Sequence, residues 1–433
     1  MNRMASRLAA TVFAAATLAA QAQLSEVERE MVAAAKGRSE EALGLLERSV
    51  NVNSGTLNKE GVRQVGKIFA AELEALGFRT RWVDMPEAME RGGHLVATRE
   101  GKRGKRLLLL GHLDTVFEKD SPFQAWERRG ARVRGQGVVD MKGGIVILIE
   151  ALRAMHRVGG LDDTTITVLL TGDEERLGSP VTVSRRELID AAKRSDAALS
   201  FEGQSRDPSG RDGVAISRRG SGSFRLTVTA APGHSAAMFT EKAGFGAVYE
   251  GARILNAFRE KVAEPGLSFS PGIVMGGTVV HYDGALGSGN AFGKSNVIPR
   301  SFIAVSDMRF VDAAQRDRAR TRMREIVAQS LPGTNAEIAF GGGYPPMPET
   351  AGNARLHELY TKASQDAGLG VVGVFDPADR GSGDVQFAAP YVDCIDGLGP
   401  TGRGTHSVDE EMEVASIERN AIRAAIMMHR MTR

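Results

Sequence analysis

Cysteine is almost absent from this chain: Cys394 is the only one in 433 residues. A single thiol excludes an intrachain disulfide and any cysteine-built zinc site, so a metal here must be held by His, Asp and Glu. Aromatic residues are sparse at 6%, and no basic block with interleaved aromatics occurs, which leaves nucleic-acid binding without electrostatic support. An excess of either charge is missing too: 55 Lys and Arg face 53 Asp and Glu, a formal net charge of +2. Beyond residue 20 no apolar run approaches membrane-spanning length. What remains is a globular composition, 42% hydrophobic and 25% charged, long enough for two or three domains.

Residues 1–22 read as a secretory signal rather than as structure. Arg3 and Arg7 precede an alanine-rich apolar run at 8–20, and Ala20-Gln21-Ala22 supplies a small–x–small cleavage site. The mature chain is expected to begin at Gln23 and to work in the periplasm or outside the cell.

The chain is organised around LLLLGHLDTVF at 107–117. Four successive leucines predict a strand buried on both faces, as in a parallel sheet. The strand then presents His112 and Asp114, and residues two apart in extended chain point the same way. Open α/β sheets place their ligands at the carboxyl ends of such strands. Other stretches deliver to the same spot. GQGVVDMKGG puts Asp140 just before an apolar helix at 145–155. TVLLTGDEE ends a strand in Asp173, Glu174 and Glu175, and ALSFEG ends another in Glu202. GTHS carries His406 on a glycine-rich loop.

Upstream, 24–49 reads as one amphipathic helical stretch, and apolar spacing from Val62 to Leu76 predicts a helix capped by Gly77. Character changes near Gly213. Residues 214–341 follow the order β-α-β-β-α-β, the split βαβ arrangement, and 283–294 is a glycine-rich hairpin tip. The basic helix at 316–324 reads as a solvated face. Segments 23–213 and 342–433 are thus expected to form one sheet domain interrupted by a smaller one.

Collected, His112, Asp114, Asp140, Glu174, Glu175, Glu202 and His406 provide imidazole nitrogen and carboxylate oxygen, the donors zinc accepts. Two histidines and three carboxylates suffice for two ions that share one carboxylate, about 3.5–4 Å apart. Adjacent glutamates can divide ligand and general-base roles.

GHLDTV, GQGVVDMKGG, TGDEE, SFEG and GTHS, in this order and spacing, resemble the M20 family of dizinc metallopeptidases and amidohydrolases, most closely the secreted glutamate carboxypeptidases. The likeness spans nearly the whole mature chain and includes VNVNSGT. It implies an α/β fold: a catalytic domain with a mixed, mostly parallel sheet and helices on both faces, plus an inserted α+β, ferredoxin-like domain serving as lid and dimerisation surface. It implies two Zn2+ per chain. His112 and Glu202 correspond to ligands of the first zinc, Glu175 and His406 to ligands of the second, and Asp140 to the bridging carboxylate, followed by a cis peptide. Asp114 corresponds to the acid that orients the ligand histidine without touching zinc. Glu174 corresponds to the general base, acting on a water between the zincs and then on the leaving amine. In the inserted domain His234 matches a histidine that crosses a dimer interface to the substrate carbonyl, and Asn296 and Arg309 match positions that hold the substrate carboxylate. The GSGD turn at 381–384 matches another substrate-facing loop.

Two features depart from the resemblance. Tyr344 stands where glutamate carboxypeptidases are expected to carry arginine, which leaves the C-terminal residue of the substrate open, and the 283–294 loop is long. The expectation is therefore a homodimeric periplasmic or secreted zinc hydrolase that cleaves an amide bond to an amino acid with a free carboxylate. An N-acyl-amino-acid deacylase or dipeptidase with the same site is the alternative, and a secreted binding protein without turnover a more distant one. Its substrate is a small peptide or N-acyl amino acid, with no nucleic-acid partner and no membrane span.

Overall fold

The computed structural model describes residues 24–122, 126–206, 209–284, 287–377 and 381–433. The expected signal segment lies outside them. Among the described residues no helix is long and apolar enough to cross a membrane.

The chain opens with two helices where the sequence suggested one: α1 (Glu26–Ala35) and α2 (Ser39–Val50). Gly37, at φ 77°, makes the break between them, a left-handed conformation that favours glycine. A capping box starts α1: the Ser25 hydroxyl accepts from the Glu28 amide at 3.2 Å, and Glu28 Oε2 accepts from the Ser25 amide at 2.7 Å. Then come α3 (Lys59–Glu74), β1 (Arg79–Val83), β2 (His94–Arg99), β3 (Arg103–His112), α4 (Lys142–Arg157), β4 (Thr164–Thr171), α5 (Arg186–Lys193) and β5 (Ala197–Ser200). The middle of the chain supplies β6 (Gly220–Ala230), α6 (Gly246–Lys261), β7 (Ser268–Gly277), β8 (Val279–Asp283), β9 (Ser288–Phe292), β10 (Ser301–Phe310), α7 (Ala313–Val327) and β11 (Thr334–Gly341). The chain closes with α8 (Ala351–Asp366), β12 (Cys394–Ile395) and α9 (Ala415–Met431).

Two compact units result: Arg218–Pro348, and the residues on either side of it. The larger unit is built on a six-stranded sheet of order β1-β2-β4-β3-β5-β12. β4, β3, β5 and β12 pair in parallel, whereas the β1–β2 and β2–β4 pairings are antiparallel. Leu107–Leu110 of β3 lie in the middle, each at most 1% exposed, opposite Ile166–Leu169 of β4. α4 is apolar nearly all round and buried from Lys142 to Leu152. Its start needs Gly144, where a Cβ would come within 1.9 Å of the Phe201 carbonyl oxygen beyond β5.

The smaller unit has a four-stranded antiparallel sheet of order β7-β10-β6-β11 with α6 and α7 packed on it. This is the order expected of a split βαβ sandwich. Phe224, Phe258, Phe302 and Met308 form its core. The sequence placed the seams at 214 and 341. Val214, however, still pairs with Val374 in the larger unit, and Arg218 and Met347 exchange two backbone hydrogen bonds in the smaller one. The stretch read as a glycine-rich tip is largely a ribbon, since β8 pairs with β9 from Val279↔Phe292 to Asp283↔Ser288. The basic helix is not simply solvated: Arg320 and Arg324 lie over the Phe340 ring, 5.1 and 4.9 Å from its centroid.

Candidate metal centre

Three neighbouring parallel strands end on the same edge of the larger sheet, and each ends in a polar group. β3 ends in His112, β4 runs into Asp173-Glu174-Glu175, and β5 runs into Glu202. Asp140 arrives from the turn before α4. His406 arrives on a hairpin whose arms, Gly402–Arg403 and Glu411–Glu413, pair with each other and then with Arg132–Arg134, just upstream of the Asp140 turn. His406 adopts φ 63°, an uncommon conformation for a residue with a side chain.

Asp140 joins the two histidines. Its Oδ1 lies 3.0 Å from His112 Nε2 and its Oδ2 3.0 Å from His406 Nε2. His112 Nε2 is also 3.5 Å from Glu202 Oε1, and His406 Nε2 is 3.2 Å from Glu175 Oε2. Among the described residues the donors fall into three overlapping groups, His112–Asp140–Glu202, Asp140–Glu175–His406 and His112–Glu174–Glu175, each with its atoms within 4.8 Å of one another, and Asp140 joins the first two. The Asp140–Met141 peptide is cis.

The electrostatics call for positive charge between these groups. Burial raises the Glu175 carboxyl to about 6, with the Asp140 charge adding to it, although His406 pulls the other way. Hydrogen bonds to Asp140 and Glu175 push His406 up to about 11. Glu174 is held well above the usual carboxylate range, by burial first and then by Asp384, Glu202 and Glu175, against the pull of His112. Glu175 Oε1 is buried without a hydrogen-bond partner. Two imidazoles, crowded carboxylates and an orphaned oxygen fit divalent cations with mixed nitrogen and oxygen ligation.

Asp114 works differently from the simple expectation. The oxygen nearest His112 Nδ1 is the Asp114 carbonyl at 3.0 Å, while its carboxylate Oδ1 stands 3.5 Å away. The carboxylate accepts instead from the Thr56 hydroxyl at 2.6 Å and from the Glu174 and Glu175 amides at 3.0 and 3.1 Å. The carboxylate therefore fixes the Glu174-Glu175 turn, while the carbonyl of the same residue meets the histidine.

Three contributors escaped the sequence reading. Thr56 holds Asp114. Glu410, fully buried, accepts from the Gly137, Val139 and Asp140 amides at 3.1, 2.8 and 3.0 Å and so ties the His406 hairpin to the Asp140 turn. Burial and the Asp140 charge raise its carboxyl to about 8 despite those three donors. Arg185, also fully buried, bridges Asp173 and Asp384, with Nε 2.7 Å from Asp384 Oδ1. Asp384 of the GSGD turn accepts from Thr171 as well. That carboxylate, 3% exposed, is engaged by the protein itself, whatever the rest of the turn faces.

The residues assigned to substrate separate into two places within the smaller unit. His234 bridges Val297, and the Asn296 carbonyl accepts from the Ser235 amide at 3.0 Å, so His234 and Asn296 sit together where the β6–β10 ladder begins. His234 Nδ1 accepts from the Ala236 amide. Arg309 lies toward the other end of β10, roughly 26 Å along the strand from Ser301 at about 3.3 Å per residue. There its Nε donates to Asp307 at 2.8 Å, and it stands opposite Ser221, whose other backbone neighbour is Tyr344.

A donor cluster able to hold divalent cations lies at the carboxyl edge of a mostly parallel sheet, in an α/β unit interrupted by an α+β one, an arrangement suited to a metallohydrolase. The chain matches Peptidase family M20/M25/M40 over residues 108–428 and belongs to that family, whose enzymes are metal-dependent. Carboxypeptidase G2 of Pseudomonas sp. (strain RS-16) is 28% identical over 424 residues, covering 96% of this chain and 95% of that one. The succinyl-diaminopimelate desuccinylase of Acidiphilium cryptum (strain JF-5) is 30% identical over 365 residues, 81% of this chain and 88% of that one. In fold the chain is similar to the M20 family metallo-carboxypeptidase Sso-CP2 of Sulfolobus solfataricus, with a TM-score of 0.65 at 15% identity over 90% of this chain and 98% of the other.

Proposed function

We propose that this chain is a dizinc carboxypeptidase, periplasmic or secreted, that releases a C-terminal amino acid with a free carboxylate from a small peptide or N-acyl amino acid. The observation that carries this is Asp140, whose two oxygens each meet a different histidine in two overlapping donor groups. His112, Asp140 and Glu202 would hold one ion, and Asp140, Glu175 and His406 the other. Zinc ions held by these residues would supply a water of lowered pKa and polarisation of the scissile carbonyl. Glu174 takes the attacking water's proton and later delivers it to the leaving amine. His234 donates to the carbonyl oxygen as negative charge develops on it, and Arg309 and Asn296 receive the substrate carboxylate.

Within one chain His234 and Asn296 lie far along the sheet from Arg309. This supports a homodimer in which His234 and Asn296 serve the partner's site. Exposed Phe239, Tyr249, Val274 and Phe292 on the smaller unit are consistent with a covered surface. Sedimentation should give a dimer, and a monomer with full turnover would refute that arrangement. The N-terminal segment with Arg3, Arg7 and an alanine-rich run supports export.

Glu174→Gln is expected to keep two zinc per chain by elemental analysis while turnover falls at least about 1,000-fold, the order of a lost general acid–base. Retained activity would remove Glu174 from the mechanism. Chelation is expected to abolish hydrolysis, with zinc or cobalt restoring it. The similarity to a desuccinylase supports N-acyl-amino-acid deacylation as a second reading. A hydrolysis panel that varies the C-terminal residue first, and the acyl group second, separates the two, and Tyr344 directs attention to the C-terminal side.

A further inference from the structure

The opposite end of the larger sheet carries a feature the hydrolytic chemistry does not use. An open cleft of about 550 Å³ lies across β1, β2, β4 and the start of β3, with Arg194 and Ser195 after α5 on one wall. Five arginines line it against a single glutamate, Glu100. Arg79, Thr98 and Thr167 form one cross-strand row, because Arg79 pairs with Thr98 and Thr98 with Thr167. Arg81 is two residues from Arg79 and so shares its face of the sheet. The row lies about 13 Å along β4 from Thr171, the residue opposite His112, at about 3.3 Å per residue from Thr167.

Some of this charge is already engaged. Arg106 makes a two-pronged contact with Asp196 at 2.7 and 3.0 Å, Arg81 pairs with Glu187, and Arg99 donates to the Leu161 and Leu76 carbonyls. Two arginines are not. Arg79 has only a 3.5 Å contact with Glu100, both side chains being over 80% exposed, and such a pair is worth little. Arg194 has no ion-pair partner among the described residues, and the Thr98 and Thr167 hydroxyls likewise carry no side-chain hydrogen bond among them. The weakly held Arg79 fork, the Arg194 fork and the Thr98 and Thr167 hydroxyls line the same cleft and together offer donors that phosphate oxygens accept. The volume is that of a small-molecule site.

We propose that this cleft binds a soluble phosphorylated small molecule, through Arg79 and Arg194 with the Thr98 and Thr167 hydroxyls. The proposal is independent of the hydrolytic reading. Titration calorimetry of the zinc-loaded full-length protein with pyrophosphate tests it. One saturable event is expected that weakens at least tenfold in Arg79→Gln/Arg194→Gln and several-fold in Thr98→Val/Thr167→Val, with melting temperature and hydrolysis unchanged in both. Pyrophosphate held by the metal ions would persist in these variants, and binding that is equally strong in them would overturn the proposal. So would absence of binding, or capture by phosphatidylglycerol vesicles without any response to pyrophosphate, which would make the cleft a membrane contact.

Discussion

Single residues divide sharply by how far away their partners lie. His112 and Asp140 stand out in the sequence because each ends a recognisable local pattern: a buried strand, and a glycine-marked turn before a helix. Glu410 does not. It sits in Asp409-Glu410-Glu411, three consecutive acids with nothing to rank them, and only folding shows that it alone is fully buried and takes three amides from residues some 270 positions earlier. Removing it leaves those amides unsatisfied. Glu410→Ala is expected to cost about 3 kcal/mol or more, at roughly 1–3 kcal/mol per buried unpaired group. Urea denaturation of the metal-free protein measures this, and a loss below about 1 kcal/mol would mean that water replaces the carboxylate. Thr56 is a similar case, since a threonine in a polar loop announces no acid 58 positions on.

Among the elements, the strands of the larger sheet were legible because burial on both faces leaves uninterrupted apolar runs, as in Leu107–Leu110 and Val168–Leu170. Breaks in elements were harder to read. Gly37 splits α1 from α2 by adopting a left-handed conformation that the surrounding amphipathic pattern conceals. β9 was hidden because its glycine and serine content resembles a turn, and pairing with Val279–Asp283 is what makes it extended. The connection between the end of β4 and the GSGD turn depends on Arg185, at the start of α5. Arg185→Met would leave Asp173 and Asp384 buried without their counter-charge, and about 3–5 kcal/mol is expected to be lost. Chemical denaturation checks this, and near-wild-type stability would show that the Arg185 charge contributes little to holding these elements together.

For the molecule as a whole, the larger unit is made of chain segments on both sides of the smaller one, and its two ends are stitched together. Glu28 in α1 meets Arg430 in α9 at 2.6 Å and Arg433 at 3.1 Å. Burial alone would raise the Glu28 carboxyl, but Arg430 and the Ser25 capping box outweigh it and bring it down to about 2. A carboxyl depressed on folding stabilises fully above its ordinary value near 4.5, and that contribution is lost as pH falls toward 2. Wild type should therefore exceed Glu28→Gln in stability at pH 6, with the gap closing between pH 4.5 and 2 in denaturation curves. A gap independent of pH would assign the contact to packing rather than to charge.

The sequence by itself determined the class of fold, the kinds of donor available and the strand ends that present them. These follow from short-range periodicity and from the lack of cysteine. Only the tertiary structure decided that Asp140 meets both histidines, that Asp114 grips the glutamate turn, and that His234 and Arg309 lie at opposite ends of one sheet. Such pairings join residues tens to hundreds of positions apart. Packing brings them together, and no local pattern in the chain records which acid reaches which amide.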